Sequence, residues 1–250
     1  MNIWYDNIGK GYSDLRVPDA RIASLVHSAL GAAKTVANIG AGTGSYEPRD
    51  RDVIAIEPSS LMLDQYRGQG HCVRGVAENL PLADNSVDAS LAILTMHHWR
   101  NWKQGLAELF RVSRTAVVLL THQPDLHDFW LLDYFPEIRE IDMKIFATIS
   151  EIEDESLKNK WQNSSIKVPV PHDCTDGFLG AYWRRPDAYF NEDVRRSIST
   201  FNLLDAGLVK KKLGQLRRDL KSGRWDDLYG HLRNQNELDI GYRIIKMVPS

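Results

Sequence analysis

Short, nearly continuous apolar runs, separated by polar or helical stretches, constrain the fold of this chain more than any other feature of its sequence. Five of them are Thr35–Ile39, Val53–Ile56, Cys72–Val76, Val87–Leu94 and Ala116–Leu120. Runs of this length without strict alternation are typical of parallel strands that are buried on both faces. Apolar residues at helical spacing from Trp102 to Phe110 predict a crossover helix between the last two strands. The pattern therefore predicts an α/β fold with a parallel sheet.

The flanking regions complete the predicted organisation. Pro18–Leu30 predicts a helix that starts at a proline and stops at Gly31. After Thr121 we expect a helical stretch over 129–156 that Pro136 interrupts, an edge strand over 166–170, a basic helical stretch over 197–225 and a last strand over 241–248. We interpret the chain as a single domain, 1–250, with an N-terminal cap and first helix in 1–31 and a variable, substrate-facing insertion in 122–196.

A glycine loop follows the first predicted strand. Asn38-Ile39-Gly40-Ala41-Gly42-Thr43-Gly44 places glycines at alternate positions, where the backbone can turn sharply and approach a ligand closely. The next strand ends at Glu57, whose carboxylate can accept hydrogen bonds from both hydroxyls of a ribose. Although a structural turn can also explain such a loop, the loop and the acid together predict an adenosine site.

The connection after the loop discriminates between adenosine cofactors. Only Ser45–Asp52 separates Gly44 from the second strand, and Pro48 lies within this segment, so a full-length helix does not fit. Pyrophosphate binding relies on a helix N-terminus that points N–H groups at the anion. The short connection therefore argues against NAD or FAD, whereas S-adenosylmethionine, which has no phosphate, does not need this helix.

Four motifs in this order and spacing resemble the class I S-adenosylmethionine-dependent methyltransferases, in particular the branch that includes ubiquinone and menaquinone biosynthesis methyltransferases. They are 36–44, 56–63, 75–82 with 85–88, and Thr95-Met96-His97-His98-Trp99, and the resemblance covers roughly 5–121. It implies a Rossmann-like α/β fold with a mostly parallel seven-stranded sheet, helices on both faces and an antiparallel final strand. It also implies that the chain is a methyltransferase with S-adenosylmethionine as its cofactor.

The resemblance assigns cofactor contacts residue by residue. It implies that Gly40, Ala41, Gly42 and Gly44 line the methionyl group, that Glu57 holds the ribose, that Pro58 and Met62 flank the adenine, that Ala77 and Glu78 lie at the adenine edge, and that Thr95 lies beside the cofactor. Many relatives carry an acid where this chain has Val76, so either Glu78 substitutes for it or that contact is absent. Tyr5, Tyr12 and Arg16 resemble a segment that folds over the cofactor, with Arg16 pairing with the methionyl carboxylate; alternatively, the tyrosines only pack against the first helix.

Histidines at the carboxyl edge of the sheet are candidates for chemistry. Methyl transfer requires the acceptor to be positioned and water to be excluded, and a base only if the acceptor has a proton to lose. His97 and His98 are the candidate bases, with packing or capping as the alternative. We expect the acceptor pocket to include His122, His172, Tyr182, Trp183, Arg184 and Arg185, because these groups suit recognition of a small, anionic molecule. The aromatic residues of that segment can instead close the core.

Composition narrows the class of protein. A formal net charge of -2 gives no support to a nucleic-acid partner, and Cys72 and Cys174 indicate neither a disulfide framework nor a metal site. The sequence shows no membrane span, so we expect a cytoplasmic protein.

The leading hypothesis is a methyltransferase for a small-molecule acceptor; the alternatives are a tRNA or protein methyltransferase, or a non-methylating member that retains S-adenosylmethionine as a structural ligand. The sequence leaves the acceptor atom and the oligomeric state open.

Overall fold

The apolar runs form a seven-stranded sheet. The computed structural model describes residues 16–126 and 129–250. Its strands are β1 (Thr35–Ile39), β2 (Asp52–Glu57), β3 (His71–Arg74), β4 (Val87–Ile93), β5 (Ser113–His122), β6 (Trp161–Lys167) and β9 (Tyr242–Pro249), while the short strands β7 (Val170–Pro171) and β8 (Glu237–Leu238) pair separately. The sheet order is β3-β2-β1-β4-β5-β9-β6, and β1 to β5 run parallel. Strand β9 lies antiparallel between β5 and β6, which confirms the predicted fold class and antiparallel final strand.

The central strands are buried on both faces of the sheet. Neighbouring residues of a strand point to opposite faces, and Val118 and Leu119 accordingly belong to two different apolar clusters. The same division separates Ile244 from Ile245 on β9. This double burial explains why the strands appear in the sequence as nearly continuous apolar runs.

Helices cover the sheet and fill the region after β5. They are α1 (Ala20–Ala29), α2 (Ser60–Leu63), α3 (Trp102–Val112), α4 (Leu131–Tyr134), α5 (Pro136–Ile145), α6 (Ile149–Lys158), α7 (Glu192–Arg196), α8 (Ala206–Ser222) and α9 (Arg224–Tyr229), with 3-10 turns at Met96–His98, Leu179–Tyr182, Pro186–Phe190, Ser199–Leu203 and Gly230–Asn234. Pro136 begins α5 at its first turn, where a missing N–H costs nothing. Helix α6 begins with a reciprocal capping box between Thr148 and Glu151.

Several predicted boundaries were wrong, and two of them have a clear physical reason. The first helix does not start at Pro18: Asp19 caps it by accepting a hydrogen bond from the Arg21 N–H, and the helix begins at Ala20. The edge strand covers Trp161–Lys167 rather than 166–170, because its mostly exposed side chains are polar and give no apolar signal.

The connection from β1 to β2 departs from the usual βαβ pattern. Residues 40–51, all of which the structure describes, form turns and bends without a helix, as the sequence predicted. Tyr46 adopts a positive φ of 62° in this segment. The carboxyl end of β1 is therefore followed by turns rather than by a helix terminus.

Candidate functional site

A cavity of about 530 Å³ opens at the carboxyl ends of β1, β2 and β4. Strand β1 lies between β2 and β4 in the sheet, so the connections that leave these strands diverge and create a crevice. The cavity is lined by Arg16, Asn38, Gly40, Ala41, Gly42, Thr43, Ser45, Glu57, Pro58, Met62, Val76, Ala77, Glu78, Ile93, Leu94, Thr95, His98, Trp99 and Arg100. We call it the large cavity.

The glycines of the loop serve different purposes. Gly40 has a φ of +65°, and a Cβ there would lie 2.1 Å from Thr95 Oγ1, so this glycine lets the loop pack against Thr95. Gly42 has a φ of +55°, and a Cβ there would meet nothing within 4 Å, because it would project into open space. Gly44 does not line the large cavity among the described residues; its Cα faces Gly68 and Tyr66, where a Cβ would lie 2.8 Å from the Gly68 N atom.

Glu57 ties the glycine loop to the end of β2. Its Oε2 accepts a hydrogen bond from the Gly42 N–H at 2.9 Å, and its Oε1 accepts one from the Ser59 N–H at 3.0 Å. The side chain lines the large cavity, although the residue is only 5% exposed. Because a carboxylate accepts up to about four hydrogen bonds, Glu57 retains acceptor capacity for hydroxyl groups of a ligand while it holds the loop in place.

Asn38 is a polar residue within an otherwise apolar strand, and the sequence analysis did not single it out as a binding residue. Its Nδ2 donates to Glu47 Oε1 at 2.8 Å, and the Tyr66 hydroxyl donates to Glu47 Oε2 at 2.5 Å. Burial raises the pKa of Glu47, whereas these two hydrogen bonds oppose the shift. Asn38 Oδ1 is buried and has no hydrogen-bond partner among the described residues. Asn38 lines the large cavity, so it can supply an acceptor for the ammonium group of S-adenosylmethionine, and this orphan atom fits the cofactor that the sequence predicts.

The predicted adenine contacts all line the large cavity. Pro58, Met62, Ala77 and Glu78 are brought together there, and Val76 lies beside them. Glu78 Oε1 also accepts a hydrogen bond from the Asn101 N–H at 3.1 Å, which fixes this carboxylate to the start of α3. Trp99 and Arg100 complete this end of the cavity, although the sequence analysis had not named them as binding residues.

Arg16 is the predicted N-terminal contact that the structure describes, since Tyr5 and Tyr12 lie outside the described residues. Its Nε donates to Asp176 Oδ1 at 2.6 Å, and the Tyr46 hydroxyl donates to Asp176 Oδ2 at 2.9 Å. Asp176 is 1% exposed. This buried carboxylate therefore joins three distant segments of the chain and sets the position of the Arg16 guanidinium at the cavity.

A second cavity, of about 50 Å³, adjoins the large one. It is lined by Arg16, Leu94, His97, His122, Asp142, Phe146, Phe178, Leu179, Ser197, Ile198, Ser199, Thr200 and Tyr242. Arg16 and Leu94 line both cavities, so the two meet at these residues. Leu94 has a φ of 47°, an uncommon conformation for a branched side chain, at the point where β4 ends. We call this second space the small cavity.

The predicted histidines divide between the two cavities. His98 lines the large cavity, whereas His97 and His122 line the small one. Burial lowers the pKa of His122 to about 4, and burial together with nearby His98 and Arg16 lowers the pKa of His97 well below its ordinary value. The pKa of His98 is also lowered, by surrounding protein and by Arg16, although its ring is open to the cavity. All three rings are therefore neutral at pH 7.

Most of the remaining predicted acceptor residues contact backbone carbonyls away from the two cavities. Trp183 is completely buried in the core, and its Nε1 donates to the Val170 carbonyl at 2.9 Å. Arg184 donates to the Arg233 and Gln235 carbonyls, and Arg185 donates to the Cys174 and Ala181 carbonyls and stacks over the Tyr182 ring. The His172 ring is 3.2 Å from the Asn236 carbonyl. Of the predicted acceptor residues, the structure brings only His122 to either of the two cavities.

The described part of the chain contains neither a metal-binding cluster nor a membrane-spanning helix. Within residues 16–126 and 129–250, no group of three or more His, Cys, Asp or Glu side chains is arranged to hold a metal ion. In the same part of the chain, no helix combines the length and the apolar character that crossing a membrane requires.

Known proteins resemble this chain over both the motif region and the whole fold. A family described as a methyltransferase domain matches residues 37–121. An uncharacterized methyltransferase of Mycobacterium tuberculosis strain H37Rv is 40% identical over 90 residues, which span 33% of this chain and 37% of that relative. A crystal structure from Anabaena variabilis, assigned as a methyltransferase of an antibiotic biosynthesis pathway, is 37% identical with a TM-score of 0.87 and covers 93% of this chain and 98% of its own. A SAM-dependent methyltransferase of Thermotoga maritima shares the fold at 17% identity, with a TM-score of 0.55 and coverage of 99% of this chain and 93% of its own.

Proposed function

Because the chain belongs to the class I S-adenosylmethionine-dependent methyltransferases, we propose that it transfers the methyl group of this cofactor to a small-molecule acceptor. The observation that carries the proposal is the junction of the two cavities at Arg16 and Leu94. The large cavity has room for a nucleoside cofactor, and the small cavity has room for the reacting end of an acceptor. A methyl group placed at the junction is accessible from both.

The residues of the large cavity suit the parts of the cofactor. Glu57 would accept hydrogen bonds from the ribose hydroxyls, and Asn38 Oδ1 would accept one from the methionyl ammonium group. Pro58, Met62 and Ala77 provide apolar surface for the adenine. Gly42 leaves space where a side chain would interfere.

The bound cofactor supplies a methyl group on a positively charged sulfur, which makes the methyl carbon open to attack by a nucleophile. The chain itself has to place the acceptor in line with this carbon and exclude water. Leu94, Phe146 and Phe178 give the small cavity apolar walls. The neutral imidazoles of His97 and His122 add polar contacts without a positive charge that would repel the sulfonium.

The dimensions of the small cavity agree with a small molecule as acceptor. Its volume of about 50 Å³ is roughly a tenth of the 530 Å³ of the large cavity, so it suits the reacting end of an acceptor. The formal net charge of -2 likewise gives no general attraction to nucleic acid.

Two measurements test the proposal. Calorimetry should show binding of S-adenosylhomocysteine and none of NAD. Incubation with methyl-labelled S-adenosylmethionine and an extract of the host, separated by size, should place the label in the small-molecule fraction. Label in the RNA or protein fraction would favour the alternative acceptors, and cofactor binding without any labelled product would favour a non-methylating member of the family.

A further inference from the structure

The small cavity contains a buried carboxyl group without a cationic partner. Asp142 lies on α5 and is 3% exposed. Its Oδ1 accepts a hydrogen bond from the Thr200 hydroxyl at 3.1 Å. Among the described residues, no lysine or arginine pairs with this carboxylate. A buried charge is normally paired, so an ionised Asp142 would be stabilised by a cationic partner, and the cavity that it lines can admit one from outside the chain.

Aromatic rings surround the same cavity. The ring centroids of Phe178 and Tyr242 are 4.5 Å apart, and the His122 ring lies 5.1 Å from Tyr242 and 5.5 Å from Phe146. Aromatic faces attract cations, and this attraction grows when water is removed. Rings combined with one carboxylate form the kind of site that binds an ammonium group.

His122 provides a second acceptor. Its Nε2 is 3.1 Å from the Ile240 carbonyl, which can only accept, so Nε2 carries the proton and donates it. Nδ1 is then an acceptor, and it is buried without a hydrogen-bond partner among the described residues. The cavity wall thus combines two hydrogen-bond acceptors, Asp142 and His122. An ammonium group has several N–H donors, whereas a hydroxyl has one.

We propose that the acceptor is an amine, which Asp142 binds as an ammonium ion and from which it removes the proton before methyl transfer. This proposal rests on the proposed methyltransferase function. It replaces His97 and His98 as candidate bases with a carboxylate that the sequence analysis did not consider.

Proton transfer precedes methyl transfer in this reaction. A proton passes from the ammonium nitrogen to a carboxylate oxygen of Asp142 and leaves a lone pair on nitrogen. The nitrogen forms a bond to the methyl carbon while the sulfur–carbon bond breaks, and the bonding electrons stay on sulfur. The products are a methylated ammonium ion and the neutral thioether S-adenosylhomocysteine, with the proton on Asp142 until water takes it.

The charges around the cavity agree with this assignment. Burial raises the pKa of Asp142 to about 7, so the carboxyl can both accept and release a proton near neutral pH. His122, with a pKa of about 4, is a much weaker base. The Arg16 guanidinium, which also lines the cavity, is paired with Asp176 at 2.6 Å, and the Tyr242 hydroxyl stays neutral because burial raises its pKa. Asp142 is therefore the carboxyl in the cavity wall that can balance a cationic guest.

Product identity is the first arm of the test. Incubation with ¹³C-methyl S-adenosylmethionine and a host extract, followed by NMR of the labelled small molecule, should show a methyl group on nitrogen. A methyl group on oxygen, sulfur or carbon would overturn the amine proposal and leave the methyltransferase function intact. Failure to bind S-adenosylhomocysteine, or absence of any labelled product, would instead contradict the proposed function.

Binding is the second arm and does not depend on turnover. The unmethylated form of the identified product is titrated into protein saturated with S-adenosylhomocysteine. Asp142→Asn should weaken its binding at least tenfold, Asp142→Glu should restore part of it, and the exposed control Asp187→Asn should leave it unchanged. S-adenosylhomocysteine affinity should be equal in all four proteins. Equal acceptor affinity in wild type and Asp142→Asn, with an unchanged melting temperature, would overturn the role of Asp142.

Discussion

The rings of His97 and His98 lie 3.8 Å apart, centroid to centroid, yet they line different cavities. Both belong to the 3-10 turn Met96–His98 that follows β4. Successive side chains of a 3-10 helix point about 120° apart, so one ring faces the large cavity and the other faces the small one. This short turn thereby contributes a side chain to each compartment of the site.

Glu57→Gln should weaken S-adenosylhomocysteine binding by about tenfold or more, because charge-assisted hydrogen bonds to a buried carboxylate contribute roughly 1–3 kcal/mol. Calorimetry measures the affinity, and circular dichroism checks the fold. The exposed Glu237→Gln serves as the control and should bind as wild type does. Unchanged affinity in a folded Glu57→Gln protein would remove this residue from the cofactor site.

Alanine at two glycines of the loop should have different effects. Gly40→Ala places a Cβ 2.1 Å from Thr95 Oγ1 at a positive φ, so we expect a large loss in melting temperature. Gly42→Ala should destabilise the fold only through backbone strain, which costs roughly 1–2 kcal/mol, because its Cβ meets nothing within 4 Å. The Gly42→Ala protein should fold but lose cofactor affinity, because its methyl group occupies ligand space. Thermal melts compare the stabilities of the two variants, and calorimetry measures their affinities for S-adenosylhomocysteine. A Gly42→Ala protein with normal affinity would contradict the prediction.

His122 should make stability depend on pH. Burial lowers the pKa of His122 from 6.5 to about 4, so between these values the unfolded chain binds a proton that the folded chain does not. The stability that neutral His122 contributes is therefore complete above about pH 6.5 and is lost as the pH falls towards 4, by up to about 3 kcal/mol. Denaturant titrations of wild type and His122→Gln across this range should show a shallower decline in the variant. Parallel curves would show that this histidine does not titrate as inferred.

Replacing Asp176, the buried partner of Arg16, should lower the melting temperature far more than replacing the exposed Asp173. Asp176→Asn removes the buried carboxylate that pairs with the Arg16 guanidinium, and breaking a buried pair in this way costs about 3 kcal/mol or more. Asp173→Asn removes an exposed contact to Arg21, so the melting temperature should barely change. Thermal unfolding of the two variants in one buffer provides the comparison. Equal melting temperatures would mean that the buried pair does not stabilise the protein.

The local pattern of apolar and polar residues predicts the parts of the fold that depend on neighbouring residues in the chain. The strand Thr35–Ile39 was predicted with its observed bounds, because a short apolar run specifies a buried strand. The glycine loop and Glu57 follow the ends of neighbouring strands, and they line one cavity. The prediction for the strand Trp161–Lys167 was displaced along the chain, because an exposed edge strand of Gln, Asn and Ser has no apolar pattern. The branch that includes ubiquinone and menaquinone biosynthesis methyltransferases remains an interpretation.

Most residues of the small cavity could not be predicted from the local sequence pattern. Asp142 occurs in a polar helix, yet its side chain is buried and accepts a hydrogen bond from Thr200, which lies 58 residues further along the chain. Conversely, Arg184 and Arg185 suit anion recognition by type, but their guanidinium groups hold backbone carbonyls. Asn38 did have a local signal, because a polar residue near the end of a buried strand, two positions before Gly40, needs a hydrogen-bond partner.

Strand β9 lies inside the sheet although it is the last strand along the described chain. Strands β5 and β6 each pair with it rather than with one another, so the sheet has a gap until residues 242–249 have left the ribosome. Domains whose contacts are local can fold while synthesis continues, but this one cannot close its central layer in that way. Tyr242 of this strand also lines the small cavity, so a nascent chain that stops short of β9 would display an open sheet edge and an incomplete small cavity.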